Sequence, residues 1–386
     1  MIPNKQIVTA IFLTGFLFSF GIAIPTYINS TFLSTYISEG LVGSFYIISS
    51  LLTIILLFSS RKILSKIGNY KATLGILIVN FLSLIMLVFC ENFFTVAISL
   101  VVHLIAVTVI SFNIDIFLEA FSNNSSTGKT RGTFLSLTNL AWLISPIISG
   151  FVLSGEEYWK IYLLSAIINI PVIYILLRNL KGFKDPEYQK VNTVEAFKTI
   201  YKRKNILKIS WAHFLLRFFY SWMIIYMPIY LHDYIGFDWN TIGIIFTAML
   251  LPFVILEMPL GKIADKFLGE KEILNTGFLI AGISTAVLTF VDSTDPVFWG
   301  FLLFMTRVGA SMIEIASETY FFKKINEGDV EILNIFRMIG PSAYVVGPIV
   351  ATVLLMFIEI NYLFIILGIL MAVGGTAIEM TLKDTK

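Results

Sequence analysis

Apolar runs of about 20 residues follow one another from end to end of the chain, separated by short polar breaks. Twelve can be drawn, near 7–28, 41–59, 72–90, 94–119, 132–154, 161–178, 206–230, 239–260, 273–290, 297–321, 332–357 and 361–380. Each is long enough to cross ~30 Å of hydrocarbon as a helix. The alternation expected of barrel strands is absent, so helices must satisfy the backbone in lipid. The pattern therefore predicts an all-α integral membrane protein with twelve transmembrane helices. The first run follows only MIPNK and shows no small-residue cleavage site, which reads as a retained span. No segment between runs could form an independent soluble domain.

Composition agrees. Of the 386 residues, 57% are hydrophobic and 13% charged, about half the charged share of soluble domains. The charges are distributed unevenly. Of 27 Lys and Arg, 23 are assigned to the termini and the even-numbered loops; Lys160 falls in an odd-numbered loop, and Arg217, Arg307 and Arg337 lie within spans. The positive-inside rule then predicts a multi-pass protein of the cell (plasma) membrane with both termini cytoplasmic. On this reading the net charge of +2 is a topology signal and implies no nucleic-acid partner.

Several chemistries are missing. The single cysteine, Cys90, excludes an internal disulfide and a cysteine metal cluster, and three scattered histidines offer no metal-ligand spacing. Residues 123–130, NNSSTGKT, end like a phosphate loop, but Asn123 stands where the first glycine belongs. No nucleophile elbow is visible. The expectation is a protein that is not an enzyme and uses no cofactor or metal.

The chain repeats itself. Asp115 and Glu119 in IDIFLEAF match Glu314 and Glu318 in IEIASETY, with Glu314 199 residues after Asp115. Gly68 in RKILSKIGNYK matches Gly269 in GKIADKFLGEK at an offset of 201, and Pro146 in SPIISG matches Pro348 in GPIVAT at 202. Three landmarks in one order argue for a duplicated six-helix unit: residues 1–178, a linker 179–204, and 205–386. Paired six-helix repeats are a transporter architecture, with the site expected near the midplane where the repeats meet. In the linker, Val194, Phe197, Ile200 and Tyr201 repeat at helical spacing opposite Lys198, Lys202 and Arg203. That pattern fits an amphipathic helix on the inner leaflet, and a solvated linker equally.

The segment Gly261-Lys-Ile-Ala-Asp265-Lys266, followed by Gly269, resembles the signature loop of the major facilitator superfamily, with one extra residue before Gly269. The first half carries a degraded copy, with Ser65 at the aspartate position and Arg61 at the leading glycine. With twelve spans and the duplication, the resemblance covers essentially the whole chain. It implies a secondary transporter of a small-molecule solute working by alternating access as a monomer. It also implies a cytoplasmic latch in which Asp265 caps the start of span 5 near Arg131 and Gly132. Latch candidates are Gly261, Asp265, Lys266, Gly269, Gly68 and Lys66, with Glu119, Glu318, Glu257 and Arg337 as partners. In span 5, Gly132, Ala141, Ser145, Pro146, Ser149 and Gly150 are similar to the pattern of the family's exporters; an ordinary small-residue packing seam explains them at least as well.

Asp115 and Glu314 lie one turn deeper in the membrane than Glu119 and Glu318. A carboxylate there costs about 2.5–3.5 kcal/mol on insertion scales, so it needs a cavity and a partner. Arg307, Ser311, Glu314 and Glu318 form one polar stripe of span 10, and Thr108, Phe112, Asp115 and Glu119 hold the same register in span 4. In span 7, WAHFLLRFFYSWMIIY brings His213, Arg217 and Tyr220 to one face. Two roles stand for Asp115, Glu314, Arg217 and Arg307: buried ion pairs that hold register, or a carboxylate that takes up a proton when its arginine turns to substrate. The second gives proton-coupled transport, with a lean to export. A facilitative uniporter, or a transporter-derived sensor or scaffold, is the alternative. His103 and His213 are candidate relays, although a lone histidine among apolar residues is more often packed and hydrogen-bonded. Trp142, Trp211, Tyr220, Trp222 and Asn139 are candidate substrate-lining residues, with packing and bilayer anchoring the commoner use of such aromatics.

Overall fold

The computed structural model of the protein describes residues 5–120, 127–153, 155, 157–185, 193–256, 259–260, 269–325 and 330–383. Among them the regular structure is helical throughout. The first elements are α1 (Lys5–Thr26), α2 (Asn29–Ser34), α3 (Glu39–Ile67), α4 (Asn69–Val88), α5 (Phe93–Ala120), α6 (Thr127–Val152) and α7 (Trp159–Asn179). There follow α8 (Thr193–Lys202), α9 (Lys204–Ile229), α10 (Trp239–Ile255), α11 (Glu270–Val287), α12 (Pro296–Lys324), α13 (Val330–Leu354) and α14 (Tyr362–Thr381). Each of the twelve apolar runs falls on one of these helices. Ten are long and apolar enough to cross a membrane, and Ser136–Val152 and Trp239–Ile255 are shorter apolar helices.

Three pieces lie outside the twelve runs or alter them. The short α2 is capped by no side chain and is held by burial of Thr31, Phe32 and Leu33. After α9 the backbone widens into a π turn, Tyr230–Tyr234, directly beyond Pro228; proline has no N–H to continue the ladder, and one-turn π segments commonly absorb such interruptions. The polar linker forms α8. Its Ile200 is 5% exposed and Tyr201 75% exposed, so the buried face is narrower than the periodicity of the linker suggests.

The chain divides into two compact units, Met1–Lys190 with Asp238–Gly243, and Val191–Phe237 with Ile244–Lys386. In the first unit the core joins α1, α4, α5, α6 and α7 through Phe18, Leu77, Ile110, Phe117, Phe134 and Val172. Helices in lipid gain no hydrophobic drive toward one another, so close backbone approach and interhelical hydrogen bonds hold them. Ser149 Oγ donates to the Ile24 carbonyl at 2.8 Å and Ser165 Oγ to the Gly21 carbonyl at 2.6 Å, both tying α1 to its neighbours. A side chain at Gly150 would come within 2.4 Å of the Trp239 carbonyl oxygen. By contrast α3 leaves Leu51, Leu52, Ile55 and Phe58 exposed, as a lipid-facing helix should.

In the second unit α9 is the most enclosed helix, with Ala212, Leu216, Phe219, Trp222, Ile225 and Tyr226 all buried. Helix α11 is clamped from two sides by glycine. A Cβ on Gly309 of α12 would stand 2.5 Å from the Gly277 carbonyl oxygen, and one on Gly368 of α14 would stand 2.5 Å from that of Gly282. Trp222 Nε1 donates to the Gly347 carbonyl at 2.7 Å and fixes α9 against α13.

Candidate functional site

The polar face of α9 meets the polar stripe of α12 inside the second unit. The i, i+4 and i, i+7 spacings that put His213, Arg217 and Tyr220 on one side of α9 also put Arg307, Ser311 and Glu314 on one side of α12. Arg217 Nη2 donates to Glu314 Oε1 at 2.9 Å, with the two side chains 28% and 24% exposed. Tyr220 OH donates to Glu314 Oε2, also at 2.9 Å. Both carboxylate oxygens are therefore held, one by a cation and one by a phenol. Arg217 Nε donates to His213 Nε2 at 3.2 Å. Accepting there places the proton of a neutral His213 on Nδ1, which is buried without a hydrogen-bond partner among the described residues. The imidazole lies against Phe336, ring centres 4.4 Å apart.

Arg307 differs from Arg217. It is 2% exposed, and its Nε and Nη1 have no hydrogen-bond partner among the described residues. Its guanidinium lies 5.1 Å from the ring centre of Phe219 and 5.3 Å from that of Tyr220. Tyr220 thus sits between two cations, since the Arg217 guanidinium is 5.5 Å from the same ring. Aromatic faces attract a desolvated cation by about 2 kcal/mol. That offsets only part of the several kcal/mol that burying an uncompensated charge costs.

The other candidate residues occupy different places. His103, 2% exposed, bonds through Nδ1 to Asn80 Oδ1 at 2.8 Å in the first unit. Asp115 is partly buried on α5 and engaged by neighbours, as are Glu318 on α12 and Arg337 on α13. Asn139 and Trp142 are partly buried on α6. Trp222 is buried in the α9–α13 contact, whereas Trp211 is 54% exposed beside Phe214. In α6, Ser145 Oγ donates to the Ala141 carbonyl at 2.6 Å, Pro146 lies within the helix, and Gly132 belongs to its first turns.

Of the latch candidates, Glu257, Gly261, Asp265 and Lys266 lie outside the described residues, as do residues 123–126 of the NNSSTGKT segment; Glu119 is on α5 with its side chain likewise outside. Lys66 is exposed at the end of α3. Gly68 follows it with φ +80°, a left-handed conformation that favours glycine. Gly269 precedes α11, whose buried Glu270 accepts from Lys323 Nζ at 2.5 Å, while Lys271 pairs with Glu379 at 3.4 Å.

Three residues with clear parts in this arrangement carried no sequence signal of their own. Asp185 Oδ1 accepts from the backbone N–H of Asn69 at 2.7 Å and caps α4 from the linker. Phe219 and Phe336, which cover Arg307 and His213, are two among 35 phenylalanines.

Comparison with known proteins accords with this architecture. The sequence model of the Major Facilitator Superfamily matches residues 7–327 and again residues 210–386. No curated protein matches the sequence. Among solved structures, a mutant of the nucleoside transporter NupG is similar at a TM-score of 0.75 and 12% identity, over 96% of this chain and 99% of that one. A bacterial homologue of the iron transporter ferroportin, in its inward-facing state, is similar at a TM-score of 0.72 and 15% identity, over 97% and 98% of the two chains. The chain belongs to the Major Facilitator Superfamily and is a membrane transporter.

Proposed function

We propose that the protein is a proton-coupled secondary transporter of a small solute, working by alternating access, with Glu314 as the coupling acid. The observation that carries this reading is the Arg217–Glu314–Tyr220 cluster. A carboxylate within a span is retained at a cost unless it has work to do. Here it is a quarter exposed, and its two oxygens accept from a guanidinium and a phenol. A proton on Glu314 would remove the charge that fixes Arg217 and Tyr220 and free α9 and α12 to shift relative to each other. The proton and the rearrangement are then linked as two ligands of one equilibrium.

The duplication supports the same reading. Three landmarks recur at offsets of 199 to 202 residues, the arrangement expected of a pair of six-helix repeats. Basic residues gathered at the termini and even-numbered loops favour a plasma-membrane protein with both ends in the cytoplasm. The stripe of small residues in α6 keeps a slight lean to export. Iron, named for the transporter to which one of the similar structures is homologous, is less favoured as substrate. Among the described residues no three His, Cys, Asp or Glu side chains gather, and the sealed charge of the site is a cation.

The test is transport in proteoliposomes, using a solute found by thermal-shift screening of the purified protein. A coupled transporter moves that solute against its gradient when a pH gradient is imposed and stops when the gradient is collapsed. Equal rates with and without the pH gradient would contradict proton coupling, as the facilitative uniporter requires.

A further inference from the structure

The geometry points to Arg307 as the receptor for an anionic group, a carboxylate or phosphate, on the transported solute. This rests on the transporter reading and adds the substrate class to it. In this unit Glu314 already has a cation and a phenol on its two oxygens, and neither Nε nor Nη1 of Arg307 bonds to it. Seven residues separate the two positions on α12, about 10 Å along the helix. Glu318 lies on the far side of Glu314 and has interactions of its own. Arg307 therefore presents N–H donors on Nε and Nη1 that are sealed from water and paired with no described residue. A guanidinium matches the planar oxygens of carboxylate and phosphate better than any other side chain. Leaving such a group buried and unsatisfied is a standing cost. That cost is recovered in a state where an anion occupies the donors.

The rings of Phe219 and Tyr220 supply the rest of the site. They flank the guanidinium at 5.1 and 5.3 Å and would offer apolar faces to the body of a small organic acid. Tyr220 also links the two halves of the cluster, because its hydroxyl is bound to Glu314 while its ring covers Arg307. Neutralising Glu314 releases the hydroxyl and lets the ring uncover the donors. Proton and anion thus act on one side chain.

The test is the thermal stability of the purified full-length protein with probes of matched shape: acetate beside acetamide, benzoate beside benzamide, phenyl phosphate beside benzyl alcohol, and inorganic phosphate. At least one anion at about 10 mM should raise the Tm by about 3 °C while its neutral counterpart does not. Arg307→Gln should lose that shift, and Arg307→Lys, which keeps the charge, should keep part of it. Without ligand, Arg307→Gln should melt no lower than the wild type, because it breaks no ion pair. The proposal is overturned if no anion stabilises the wild type, if the shift survives Arg307→Gln, or if the unliganded variant melts well below the wild type. These are equilibrium measurements with no gradient. Anion binding without proton-driven transport would therefore sink the coupling and leave this site standing, and coupled transport without anion binding would do the reverse.

Discussion

At the scale of residues, the second unit holds two arginines in contrasting states. Arg217 is answered by Glu314, and the two side chains are 28% and 24% exposed. Arg307 is dry and answered only by aromatic faces. Removing one partner of a buried pair leaves the other uncompensated, whereas removing both is nearly neutral. Arg217→Met and Glu314→Gln should therefore each lower stability, while the double variant should lose less than their sum. The coupling should be about 1–2 kcal/mol, discounted because both side chains are partly exposed. Thermal unfolding of the four proteins measures it, and additive losses would show that the 2.9 Å contact carries no net interaction. The sequence made the residue types and their faces legible, because a charge in an apolar run stands out and helical spacing assigns its side. It could not say which arginine takes Glu314, since that depends on how α9 is rotated against α12. Nor could it single out Phe219 or Phe336, which in composition are ordinary apolar residues.

At the scale of elements, apolar length alone located twelve helices, ten of them long and apolar enough to cross a membrane among the described residues, because hydrocarbon thickness sets the length of a crossing helix. The π turn after Pro228 and the short α2 escaped notice, since one or two turns of helix leave no periodic signature. Packing depends on small residues more than on large ones. Gly309 sits 2.4 Å from the Ala281 nitrogen when a Cβ is built on it, with the Gly277 carbonyl at 2.5 Å. Both obstacles are backbone and cannot rotate away. Gly309→Leu should drive α11 and α12 apart and cost about 3 kcal/mol or more, seen as a lower yield of folded protein and a fall in Tm. An unchanged Tm would mean that the helices do not approach this closely. At the N-terminus of α4, Asp185→Ala should remove a cap worth about 1 kcal/mol, read as roughly fivefold faster amide exchange over the first turn of the helix. Exchange at wild-type rates would show that water replaces the carboxylate without loss. Asp185 was illegible from sequence because it caps a helix 116 residues away.

At the scale of the whole molecule, the family model matches residues 7–327 and 210–386, in accord with the resemblance carried by the Gly261–Gly269 loop. Membership of the family and the fold follow from residues that any transporter of this kind needs: long apolar helices, glycine contacts and charged loops. Substrate and coupling are set by the few polar side chains within spans, where this chain keeps a held carboxylate and a sealed cation. Of the two histidines within spans, His103 is bound to Asn80 in the first unit and His213 to Arg217 in the second, so only the latter touches the cluster. The most direct measurement is solute movement by Glu314→Gln protein in proteoliposomes, followed both as uphill transport driven by a pH gradient and as exchange of labelled for unlabelled solute without one. The account predicts that uphill transport is abolished while exchange continues, because glutamine keeps the shape and one acceptor oxygen but takes up no proton. Uphill transport at the wild-type rate would contradict it.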